Sequence, residues 1–67
     1  MRVLVNGTPH ELSADRLNVS DLIAVLSLAN KRIAIEKNGE VIPKSQHAVT
    51  PVVDGDRFEI IVAVGGG

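Results

Sequence analysis

Three glycines, Gly65-Gly66-Gly67, close the sequence after the apolar run Ile60-Ile61-Val62-Ala63-Val64. With no Cβ they make a thread thin enough for a channel that excludes other residues. The tip of that thread is an α-carboxylate, ionised near neutral pH and a poor electrophile. For it to react as an acyl group another protein must activate it, most simply as an acyl-adenylate made from ATP. A frayed chain end or an expression scar would look the same from these residues alone. Other reactive groups are sparse. The sequence has no cysteine, which removes thiolate nucleophiles, disulfides and Cys-ligated zinc. His10 and His47 are far apart and share no ligand spacing with carboxylates. Asp54-Gly55-Asp56 resembles a fragment of a calcium loop but lacks the distal glutamate, and reads as a tight turn. Ser13, Ser20, Ser27 and Ser45 have no His–acid neighbourhood. No helix follows the glycines, so they are not a phosphate-binding loop. Lys44 reads as a solvated charge that could touch a partner. The expectation is a chain without catalytic residues, metal or bound cofactor. Gly67 would be the point of covalent attachment, and Gly65, Gly66 and Gly67 the segment inserted into a partner.

The bulk composition supports that division of labour. At 67 residues the chain is one domain near the lower limit of independent folding, burying about 60% of the surface its unfolded form exposes. A deep catalytic cleft beside a core does not fit. With 45% hydrophobic residues and one Phe as its only aromatic, the core must be aliphatic. A net charge of −1 and no basic run give no footprint for nucleic acid. No signal peptide or apolar stretch of about 20 residues is present, so the expectation is a cytoplasmic protein.

The elements that must position the thread follow from period and turn chemistry. Met1 to Val5 alternates as a strand, and Asn6-Gly7 is a type I′ hairpin signal. Thr8 to Leu12 returns, with Pro9 placing it at a sheet edge. Ser13 to Leu17 reads as a loop. Asn18 is an N-cap with Asp21 three residues on, a short variant of the capping box. Val19, Leu22, Ile23 and Leu26 form one helix face, widened by Val25 and Leu28, and the helix is expected to end at Asn30-Lys31. Arg32 to Lys37 alternates again, Asn38-Gly39 supplies a second hairpin turn, and Glu40 to Ile42 is a short strand stopped by Pro43. Lys44 to Pro51 is irregular, with room for one helical turn. Arg57 to Val64 is the most continuously apolar strand and belongs in the middle of the sheet.

Strand, strand, helix, strand, short strand, strand, with the last parallel to the first, is the α+β arrangement of a β-grasp fold. It has a mixed sheet of four to five strands with the helix on one face. Residues 1–64 form the domain and 65–67 the flexible tail. Val3, Val5, Ile33, Ile35, Phe58, Ile60 and Val62 then face the helix. Leu4, Ala34, Ile61 and Ala63 face away, an apolar stripe suited to docking a partner.

The whole chain resembles the sulfur carrier proteins of the ubiquitin-like β-grasp superfamily, and most closely the branch that supplies sulfur for the thiazole ring of thiamin. The residues that carry the likeness are the opening strand ending in Asn6-Gly7 and the stretch Ala34-Ile35-Glu36-Lys37-Asn38-Gly39-Glu40-Val41-Ile42-Pro43. With them go Asp54-Gly55-Asp56 and the terminal glycines. The resemblance implies that an adenylating enzyme, related to ubiquitin-activating enzymes and using Mg-ATP, converts the Gly67 carboxylate to an adenylate. Sulfur from a cysteine desulfurase or another sulfur-transfer protein then makes a thiocarboxylate, which thiazole synthase consumes. Gly66 and Gly67 match the family's terminal pair, and Ile61 matches an exposed apolar position on its partner-facing sheet. The resemblance thus implies a carrier and co-substrate rather than an enzyme. The small subunit of molybdopterin synthase shares this chemistry but is usually longer, with aromatic and proline residues in its last strand that Ile60 to Val64 lacks. A ubiquitin-like modifier and a passive interaction domain are the remaining alternatives.

Overall fold

A computed structural model describes residues 1–63. The opening hairpin pairs β1 (Arg2–Val5) with β2 (Thr8–Glu11) antiparallel, and Pro9 lies on the outer strand opposite Leu4. The main sheet runs β2-β1-β7-β4-β5, with β4 (Ile33–Lys37), β5 (Glu40–Val41) and β7 (Arg57–Val62). As its apolar content implies, β7 is central, parallel to β1 and antiparallel to β4. It ends at Val62, so Ala63, expected within the strand, lies just past it, while Val64 lies outside the described residues, as do Gly65, Gly66 and Gly67.

The single α-helix of the described chain, α1 (Val19–Val25), starts as the sequence implies. The Asn18 side chain accepts from the Asp21 N–H, and the Asp21 carboxylate accepts from the Asn18 N–H. The next two free N–H groups, of Val19 and Ser20, donate to the Thr50 and His47 carbonyls. The start of the helix is therefore tied to the segment that follows β5. That segment holds a 3₁₀ turn at Lys44–Gln46 and the short strand β6 (Pro51–Val52). β6 pairs antiparallel with β3 (Leu17–Asn18) in a second, two-stranded sheet. Leu17 was expected in a loop and Pro51 in irregular chain. Two-residue strands are too short to show a period.

The helix ends five residues before the expected Asn30. Ser27 takes φ 62°; its N–H donates to Ala24 and the Leu28 N–H reaches back to Ile23, a Schellman motif. Leu28 packs on the core from beyond the helix end, which periodicity alone reads as one more helical turn. Val25 does not widen the apolar face. It is 58% exposed, because it falls outside the arc that Val19, Leu22 and Ile23 bury.

The core is Val3, Val5, Leu12, Val19, Leu22, Ile23, Ile35, Val52, Phe58 and Ile60. Ile33 is half-buried against it. Val62 was expected beneath the helix but is exposed. A seven-residue helix covers only about 10 Å of sheet, and β7 runs past it.

Both hairpins turn through asparagine and glycine at positive φ: Asn6 and Gly7 at 51° and 82°, Asn38 and Gly39 at 52° and 89°. The asparagine side chains do more than permit the turn. β1 pairs with β7 only as far as Val5 opposite Phe58. Beyond it the Asn6 amide accepts from Ile60 N–H at 2.7 Å and donates to Ile60 C=O at 3.0 Å. On the other edge Asn38 Oδ1 accepts from Arg57 N–H, while Asn38 Nδ2 donates to the buried carboxylate of Asp56. Asp56 also accepts from Val53 N–H and lies 3.6 Å from Lys37 Nζ. Asn6→Gly keeps the turn conformation and removes the amide, so it should destabilise the fold by about 1–3 kcal/mol in urea unfolding. A loss of only a few tenths would show that water replaces the amide.

Candidate functional site

The site is the end of the central strand and the sheet face beside it. Ala63, the last described residue, donates its N–H to the Arg32 carbonyl at 2.9 Å. The chain is thus held, up to Ala63, to the residue that precedes β4. The face away from the helix is uncovered. Ile61 is 69% exposed, the most exposed large apolar side chain among the described residues. Ala34 is its direct cross-strand partner, and both Ala34 and Ala63 are exposed.

Leu4 also faces away from the core but stands apart from this group. Its register partner on β7 is Arg57, four residues before Ile61, a separation of about 13 Å along the strand. The expected docking stripe is therefore two features: Ala34, Ile61 and Ala63 beside the glycine segment, and a half-buried Leu4 between Pro9 and Arg57.

The same face carries a feature that only the register reveals. Glu36 and Glu59 sit directly opposite one another, next to the Ala34–Ile61 pair. No pattern within either strand pairs these residues, so reading the sequence did not single them out.

The remaining candidates have structural partners. Asn18 and Asp21 are occupied by the helix cap. His47 Nε2 lies 3.1 Å from the Ile42 carbonyl. The Asp54 carboxylate accepts from Arg2 N–H at 2.7 Å, and Gly55 turns at φ 88°. Asp54-Gly55-Asp56 is thus a turn that binds β1 to β7. Among the described residues no group of three or more His, Cys, Asp or Glu is placed to hold a metal ion. Lys44 is exposed in a cleft with Lys31, Arg32 and His47 over Ile23, Leu28 and Ile33. No helix in the described residues is long and apolar enough to cross a membrane.

An uncovered sheet face and a central strand that ends at Val62, three residues before Gly65 in the sequence, direct attention to the C-terminal segment. The ThiS family model matches residues 3–67, glycines included. The chain belongs to the ThiS family. The crystal structure of the thiamine biosynthesis protein ThiS from Geobacter metallireducens is similar over all of both chains, at 38% identity and a TM-score of 0.85. The sulfur carrier protein ThiS of Bacillus subtilis is 35% identical over 63 residues, which is 94% of this chain and 96% of that protein. A thiazole synthase of Paramagnetospirillum magneticum is 37% identical over 67 residues. There the chain spans only 20% of the relative's length.

The ThiS fold makes a direct test of strand parity possible. Ile61 faces solvent whereas its neighbour Ile60 is 6% exposed. Ile61→Thr should change stability by no more than about 0.5 kcal/mol, and Ile60→Thr should cost about 2 kcal/mol or more. Equal losses in thermal unfolding would contradict the assignment of the open face.

Proposed function

We propose that this protein is a sulfur carrier of thiamin biosynthesis whose Gly67 carboxylate becomes a thiocarboxylate and gives its sulfur to the thiazole ring. The observation that carries this reading is the ThiS family match running through Gly67. The β-grasp body supports it by leading its central strand into that segment. Small size and an exposed apolar patch suit a co-substrate handed between enzymes, acting in the cytoplasm.

The chemistry follows from the carboxylate. An oxygen of ionised Gly67 attacks the α-phosphorus of Mg-ATP in an adenylating partner, releasing pyrophosphate and leaving an acyl-adenylate. The terminal sulfur of a protein persulfide, charged by a cysteine desulfurase, attacks the acyl carbon and displaces AMP. A second thiol then attacks the inner, cysteine-derived sulfur of this acyl disulfide, forms a disulfide with it and breaks the S–S bond, which frees the outer sulfur as the thiocarboxylate. Thiazole synthase consumes that sulfur and returns the carboxylate. Relatives named thiazole synthase that contain a stretch like this whole chain support the last partner.

Within the partner sites, Gly65, Gly66 and Gly67 would fill a channel too narrow for a Cβ, while Ala34, Ile61 and Ala63 dock on the rim. Carrier loaded with isotopically labelled sulfur should yield labelled thiazole product when mixed with thiazole synthase and its other substrates. Unlabelled product would contradict the function. Gly66→Val should leave the melting temperature unchanged and slow adenylation about 100-fold, because a misplaced carboxylate loses its in-line geometry. Wild-type adenylation by that variant would refute the narrow channel.

A further inference from the structure

The main sheet carries a local arrangement that works against its own stability. Glu36 on β4 and Glu59 on β7 are direct cross-strand partners, and like charges so placed are destabilising. Both alternate with core residues, Ile35 and Ile60, so both side chains stand on the uncovered face. Among the described residues the ion pairs are Arg2–Glu11 and Lys37–Asp56, so neither glutamate belongs to one. Arg57 shares the face two residues before Glu59, and Lys37 points to the other side, where its Nζ donates to the Pro51 carbonyl. Two residues further towards the glycine segment lies the Ala34–Ile61 pair. An apolar pair and an acidic pair without an ion-pair partner are thus contiguous, near the last described residues of the central strand.

We propose that this four-residue patch is a docking site for a basic side chain of the adenylating partner, most suitably an arginine. Its guanidinium would bridge the Glu36 and Glu59 carboxylates while its stem lies on Ile61. Arginine fits because its planar fork donates to two carboxylates at once and its stem covers apolar surface. The cost of the opposed glutamates in the free protein is recovered when the partner's cation arrives, so the pair favours the bound state. Charge complementarity also sets the register in which the sheet meets the partner, and so where the glycine segment enters. This inference rests on the sulfur-carrier reading and specifies the chemistry of the first partner.

The test is the double variant Glu36→Gln/Glu59→Gln, measured for thermal stability and for binding to the host's adenylating enzyme with ATP. The control is Asp15→Asn/Glu40→Gln, which changes net charge equally at residues off this face. The glutamine variant should melt at or above the wild-type temperature yet bind about tenfold or more weakly, with a shallower dependence on salt. The control should bind as wild type. Undiminished binding by the glutamine variant, or equal weakening in the control, would overturn the proposal while leaving the carrier reading intact. A wild-type dimer that the glutamine substitutions dissociate would place a second copy on this face and also overturn it. If the competent enzyme neither binds nor adenylates the wild type, the carrier reading fails and this proposal with it.

Discussion

The structure depends on holding one strand from both sides with neighbours that are too short for it. β7 carries Phe58 and Ile60 into the core, so its backbone N–H and C=O groups there need partners; an unmatched buried group costs about 1–3 kcal/mol. β1 stops at Val5 and β4 turns at Asn38, yet β7 is paired beyond both limits. The amides of Asn6 and Asn38 take over where the main chain ends. Each asparagine therefore serves twice, first through its tolerance of positive φ and again as a substitute segment of strand. Asp56 extends the arrangement by joining Asn38, Val53 and Lys37 around one buried carboxylate.

This explains which parts of the fold were legible from residues alone. The two Asn-Gly turns, the alternation around Ile33 and Ile35 and the apolar weight of the last strand identified the hairpins and the central strand. Local chemistry decides those features. The early helix end was hidden because Leu28, folded back by the Schellman turn, continues the apolar period beyond the helix. β3 and β6 were hidden because two residues show no alternation. The separation of Leu4 from Ile61, and the meeting of Glu36 with Glu59, depend on pairing between distant segments. No local pattern carries that information. The glycine segment was the most conspicuous feature of the sequence, and the role proposed for it rests on family membership and carboxylate chemistry.

A domain of this size spends its apolar residues on one thin core. In the proposed function it presents an acyl group and a surface by which its partners recognise it. The tight pairing of β7 makes the body a rigid handle up to Ala63. In the docking proposed above, the exposed Ala34–Ile61 pair and the adjacent glutamates give that handle an orientation. In the function proposed above, the sheet supplies the framework and the enzymes that act on Gly67 supply the reactivity.

The most direct test of the account is the intact mass of the protein after incubation with ATP, the host's adenylating enzyme and a persulfide donor. The account predicts a gain equal to one oxygen replaced by sulfur, localised by fragmentation to Gly67 and dependent on ATP. An unchanged mass with an enzyme shown to be competent would contradict it, as would sulfur placed anywhere else in the chain.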